Sequence, residues 1–77
     1  MDIVLEYVAM LKVNGPATGS TIQVAEGTSL ADLLEQLGIP ERHRGVISPF
    51  VNNASASRSY TLREGDRVFL SMPIGGG

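Results

Sequence analysis

The sequence predicts an α+β fold in which a mixed sheet of four to five strands packs on one main helix. Three observations carry that expectation. The most apolar segments lie near the two ends of the chain, a single four-leucine stripe at helical spacing lies between them, and the 77 residues include no cysteine. Disulfides and thiolate metal sites are therefore excluded, and aliphatic packing has to supply the stability. Hydrophobic residues make up 43% of the chain, with two Phe, two Tyr and no Trp, which fits a Val/Ile/Leu core and does not fit disorder. A chain of this length forms one domain and buries roughly 60% of the surface that its unfolded form exposes.

Residues Ile3 to Leu11 are almost continuously apolar, broken by Glu6, and include β-branched Ile3, Val4 and Val8, so they predict a buried central strand. Asn14 to Ser20 is dense in turn formers. Thr21-Ile22-Gln23-Val24 then alternates as a second strand, closing a hairpin whose polar half suits a sheet edge. Glu26-Gly27-Thr28-Ser29 ends that strand, and Ser29 with Asp32 has the spacing of a capping box. Leu30, Leu33, Leu34 and Leu37 follow on one stripe of a helix about nine residues long. Gly38 falls where a residue beyond the helix end needs positive φ, and Pro40 cannot continue the helix.

Glu41 to Gly45 reads as a charged connector containing the one histidine, His43. Val46 to Val51 reads as a strand that Pro49 confines to an edge or bulge, because proline removes a ladder donor. Asn52 to Ser59 reads as a loop, Tyr60-Thr61-Leu62 as a brief strand or turn, and Gly65 as the turn into a last strand from Arg67 to Met72. The first and last strands, being the most apolar, are expected side by side and parallel at the centre, with the intervening chain as crossover. A helix gripped by such a sheet is a β-grasp. The β-grasp domain is expected over residues 1–74, with residues 75–77 as a flexible glycine tail.

The formal net charge of −2 leaves no basic footprint for nucleic acid; Arg42, His43 and Arg44 form only a small patch. Met1-Asp2-Ile3 lacks the basic start of a signal peptide, and no run approaches the ~20 apolar residues of a membrane span. A cytoplasmic protein that engages neither nucleic acid nor membrane is expected. His43 has no second histidine or spaced carboxylate to form a metal site, so no metal is expected. Ser48, Ser57 and Ser59 have no supporting His and Asp pattern for hydrolase chemistry, and no helix follows the glycine run to bind phosphate.

The chain ends on Met72-Pro73-Ile74-Gly75-Gly76-Gly77. Glycine has no side chain to obstruct close approach, so such a run can thread a narrow channel and present its carboxylate to another enzyme. A loose terminus has the same composition. What favours a substrate is that the run follows directly on a predicted central strand.

Taken together, the helix entry Glu26 to Leu34, the turn Leu62-Arg63-Glu64-Gly65-Asp66-Arg67-Val68 and the ending Pro73-Ile74-Gly75-Gly76-Gly77 resemble the MoaD/ThiS family of ubiquitin-like sulfur carriers. The resemblance covers nearly the whole chain, and its diagnostic part is the terminal Gly76-Gly77. Gly75 departs from the small or polar residue often found before that pair. Pro73 favours the branch of the molybdopterin synthase small subunit, MoaD, although Met72 stands where that branch often has a second proline.

The resemblance implies that Gly77 carries the reacting carboxylate. A ubiquitin-activating-type adenylyltransferase using ATP and Mg would adenylate it, and a persulfide donor would convert it to a thiocarboxylate. The acceptor would be a synthase, either the molybdopterin synthase large subunit or a thiazole synthase. The carrier itself would bind no cofactor and supply no catalytic side chain, acting as a carrier or small subunit of a sulfurtransferase. Gly75 and Gly76 would give slim passage for the tail, and Phe69, Met72, Pro73 and Ile74 are the candidates for partner contact. Phe69 also suits the sheet core, and Met72 also suits a core gap. Two other classes remain open on the sequence: a modifier conjugated to lysine, and a passive binding module with loose glycines.

Overall fold

The computed structural model describes residues 1–72, and its elements are β1 (Asp2–Tyr7), β2 (Ser20–Gln23), α1 (Leu30–Gln36), α2 (Glu41–Arg44), β3 (Ser48–Val51), β4 (Ala54–Ser55) and β5 (Arg67–Ser71). The five strands form one sheet in the order β2-β1-β5-β3-β4. β1 and β5 run parallel at its centre, with Leu5 opposite Val68 and Tyr7 opposite Leu70, as the apolar character of the two segments predicts. β2 lies at the edge, antiparallel to β1.

Alternation along the central strands sends Ile3, Leu5, Val68 and Leu70 to one face, where all four are buried. The leucine stripe of α1 covers that face. Leu30, Leu33, Leu34 and Leu37 are each at most 3% exposed, and Leu11, Ile39, Ile47, Val51 and Leu62 close the core around them. The capping box forms at both ends: Ser29 Oγ accepts from the Asp32 amide at 3.1 Å, and Asp32 Oδ2 accepts from the Ser29 amide at 3.1 Å. The Leu30 and Ala31 amides donate to the carbonyls of Tyr60 and Arg58, so the first turn leaves no donor unmet. Tyr60 to Leu62 is thus neither a full strand nor a free turn, but a lace across the helix start, with one bridge between Ser29 and Thr61. At the other end Gly38 takes φ +69, and a Cβ there would stand 3.0 Å from the Asn14 side chain.

Four expectations are corrected. The first strand ends at Tyr7 and does not continue to Leu11; after Val8 the chain turns, with the Leu11 amide donating to the Val8 carbonyl, and this swings Leu11 into the core. The charged connector is a one-turn helix, α2, too short to leave a periodic pattern. Its last carbonyl, on Arg44, accepts from the Arg58 guanidinium, which also donates to the Ile47 carbonyl at 2.9 Å. The strand containing Pro49 is β3, and it is not at an edge. The Pro49 carbonyl faces the β4 side, where it accepts from the Ala56 amide, so the missing proline donor also points there, past the end of two-residue β4. Within the expected loop, Asn52 and Asn53 take φ 52° and 69° and turn β3 back into β4, as a two-residue type I′ hairpin requires.

The start of β5 is pinned by Asp66, which is 5% exposed. Its carboxylate accepts from Asn52 Nδ2, the Tyr60 hydroxyl and the Arg63 amide, each at 2.9 Å. Burial pushes this carboxyl up, but those hydrogen bonds and the Arg63 charge outweigh burial and hold it below the usual carboxylate range. The Tyr60 hydroxyl is correspondingly raised, first by its bond to Asp66. With the folded value below the unfolded one, this contribution is present above about pH 4 and is lost as the pH falls through the folded value.

Asp66→Asn is expected to cost about 1–3 kcal/mol near neutral pH. In urea titrations of both chains, the difference should narrow as the pH is lowered from about 7 toward about 2; a gap that does not change with pH would contradict the assignment. Leu34→Ala should cost about 2–5 kcal/mol, seen as a melting temperature lowered by roughly 10–40 °C in circular dichroism.

Candidate functional site

β5 is the element that delivers the C-terminal residues, and it is held from both sides. Its register sets Arg67 against Val4 and Phe69 against Glu6 on β1, and Phe69 against Phe50 and Ser71 against Ser48 on β3. Val68 and Leu70 point into the core and are fully buried. Phe69 points the other way and is 37% exposed, on the sheet face that no helix covers. The expectation that alternation separates Phe69 from Leu70 holds, and a core role for Phe69 does not.

On that open face Phe69 and Phe50 form a tilted aromatic pair, with ring centroids 6.4 Å apart at 42°. Glu6 and Arg67 stand beside them 3.9 Å apart, the arginine mostly exposed and the glutamate partly so, a pair worth little to stability in water. Glu6, Phe50, Asn53, Arg67 and Phe69 line a shallow hollow of about 380 Å³. Of these five residues, the sequence points to Phe69 alone. Phe50, Glu6 and Arg67 were missed because their meeting depends on β3 and β1 flanking β5 in this register, which no local pattern encodes.

Met72 is half-buried and packs against the core at the end of β5. Pro73, Ile74, Gly75, Gly76 and Gly77 lie outside the described residues. A second, larger hollow of about 650 Å³ lies at the opposite end of the sheet, between Met1, Gly27, Leu62 and Glu64. Neither hollow is lined by a histidine, a cysteine or a serine. The buried polar cluster around Asp66 is saturated by its own hydrogen bonds. His43 stays near the surface, its Nε2 accepting from Arg42 Nε at 3.4 Å. Among the described residues no group of three His, Cys, Asp or Glu side chains could hold a metal ion, and no helix is long and apolar enough to cross a membrane. What the described body offers chemically is a surface, an aromatic and charged face on the strand that leads to the terminal glycines.

Comparison with solved structures places this architecture among ubiquitin-like proteins. SAMP1 from Haloferax volcanii superposes with a TM-score of 0.69 at 17% identity, covering 100% of both chains. A chain from the complex of subunits 1 and 2 of molybdopterin-converting factor from Helicobacter pylori gives 0.65 at 21% identity, again over 100% of both chains. Urm1 from Trypanosoma brucei gives 0.68 at 21% identity, covering 99% of this chain and 95% of its own. A comparison with curated proteins finds no match. The family model described as the ThiS family matches residues 8–77, from the last residue of the β1 ladder contacts through the final glycine. With the ubiquitin-like β-grasp of the sulfur carriers and a family match over nearly its whole length, the chain belongs to the ThiS family.

Proposed function

We propose that this protein carries sulfur on the α-carboxylate of Gly77. The observation that supports this reading most is that the family match runs through Gly76-Gly77, while the body leading to them offers a docking face and no catalytic constellation among its described residues. A carboxylate is a poor acyl donor, because its leaving group would be oxide. In the proposed sequence a ubiquitin-activating-type adenylyltransferase joins it to the α-phosphorus of Mg-bound ATP, and pyrophosphate leaves. The terminal sulfur of a protein persulfide then attacks the acyl carbon, and AMP leaves. A second thiol cleaves the resulting acyl disulfide at the donor's sulfur, giving a protein disulfide and the Gly77 thiocarboxylate. The chain contains no cysteine, so both thiols belong to partners. The carrier contributes position: a rigid handle and a slim ending.

The acceptor we favour is the large subunit of a molybdopterin synthase, on the Pro73-Ile74 pair before the terminal glycines and the likeness to a chain from a molybdopterin-converting factor complex. Thiazole synthase is the alternative acceptor. Phe69, Phe50 and the half-buried Met72 are the proposed contacts on the body, with Pro73 and Ile74 continuing them.

Incubation with the adenylyltransferase of the same genome, ATP, Mg and a persulfide donor should replace one oxygen by sulfur, and tandem mass spectrometry should place it on Gly77. Deleting Gly76 and Gly77 should abolish it. The absence of both adenylate and thiocarboxylate would refute the reading, and lysine-linked adducts alone would point to a modifier. Phe69→Asp should raise KM for adenylation by roughly tenfold or more, the scale of a disrupted interface anchor, and lower the melting temperature through loss of the Phe50 pair while the chain still folds, because the core face is untouched; an unchanged KM would remove Phe69 from the contact.

A further inference from the structure

The two ends of the sheet carry opposite charge. β1 and β5 are parallel and β3 is antiparallel to β5, so the C-terminal ends of β1 and β5 and the start of β3 share one end of the molecule. Lys12 lies just past the turn that follows β1. Arg42 and Arg44 lie on α2, just before β3, and the Arg58 guanidinium is bonded to the Arg44 and Ile47 carbonyls beside them. Lys12, Arg42, Arg44 and the Arg58 guanidinium, four of the six basic groups, are therefore at the end where β5 finishes, with Glu41 on α2 and Glu35 in the last turn of α1 the acidic residues near them.

The opposite end is acidic. The Gly65 amide donates to the Asp2 carbonyl, Glu64 Oε1 accepts from the Asp2 amide, and the Asp66 carbonyl accepts from Val4, which fixes the turn into β5 at the start of β1. Glu26 shares a hollow with Glu64, and Asp32 sits in the first turn of α1, laced to Tyr60 and Thr61. Asp2, Glu26, Asp32, Glu64 and Asp66, five of the eight acidic residues, thus gather there with Arg63 and Arg67. A chain of net charge −2 presents a positive end.

Exposed apolar side chains follow the same polarity. Among the described residues, the large hydrophobics most open to water are Met10 at 57%, Val46 at 48% and Phe69 at 37%. Met10 follows β1 and Val46 precedes β3, and β5 lies between those strands, so the two flank the end of β5 on either side, while Phe69 lies on its open face. Exposing such residues is unfavourable in the free protein, and at a strand end they close no core.

We propose that this end is a docking collar. Met10 and Val46 seat against an apolar channel mouth on a partner enzyme, and Lys12, Arg42 and Arg44 meet an acidic rim around that mouth. The acidic far end is repelled by the same rim, so the charge separation orients the encounter with the end of β5 leading. This rests on reading the end of β5 as the end presented to a partner, and it adds the chemistry of the surface that receives it.

The test uses the full chain and the adenylyltransferase of the same genome, with association measured by surface plasmon resonance across a salt series, and adenylate formation assayed in parallel. Lys12→Glu with Arg42→Glu should slow association roughly tenfold or more at low salt, with the deficit shrinking as salt rises. Glu26→Lys, at the far end, should not slow association. Met10→Ser with Val46→Ser should speed dissociation independently of salt. Circular dichroism melts check that each variant folds, and all five altered residues are exposed. Equal rates for the wild type and the collar variants, or no binding by the wild type, would overturn the collar. Adenylation without collar dependence would leave the proposed function standing, and collar-dependent binding without adenylate would do the reverse.

Discussion

The parallel pairing of β1 with β5 is the constraint on which the rest of this structure depends. Parallel neighbours cannot be joined by a tight turn, so the whole of the intervening chain becomes their crossover. That crossover has to cover the apolar face that pairing creates, and α1 does so with four leucines. The pairing also places the last strand between two others, so that the residues entering the glycine ending leave from the most firmly held position in the sheet. A terminal strand at an edge would not give a partner the same fixed reference.

The polar chemistry serves the same arrangement. Asp66 is a buried carboxylate with three donors, and it ties the β3–β4 turn, the lace across the helix start and the entry to β5 into one knot. The Arg67 amide donates to Asn52 Oδ1 at 3.0 Å beside it, so the same asparagine that turns the hairpin at positive φ also holds β5 in register. Such a fully paired cluster specifies one geometry, because leaving any member unpaired in the interior is costly.

What could be read from the sequence follows physical range. The four-leucine stripe, the Ser29–Asp32 box, Gly38 and the two apolar end segments each declare themselves within a few residues, and the helix, the central pairing and the edge position of β2 follow from them. The end of β1 at Tyr7 was not legible, because Val8 and Leu11 are apolar whether they continue a strand or turn into a core. Pro49 pointed to an edge because the missing donor could be placed only once β4 was known to stop short of it. Asn52-Asn53 carries a usable signal, since asparagine tolerates positive φ, but the small polar composition around it reads equally as a loop. At the candidate site Phe69 was legible from alternation alone, whereas Phe50, Glu6 and Arg67 gather around it through pairings far apart in sequence. The charge polarity was hidden for the same reason, since Lys12, Arg42 and Arg58 share an end only after folding.

A rigid body that leads with one end of one strand is the central claim, and it is tested most directly by mapping the bound surface residue by residue. Amide chemical-shift perturbation in a nitrogen-labelled chain titrated with the adenylyltransferase would do so. The account predicts changes concentrated at Met10, Lys12, Val46, Phe50 and Phe69, with Glu26, Arg63 and Glu64 unmoved. Perturbation centred on the acidic end, or spread evenly over both, would contradict it.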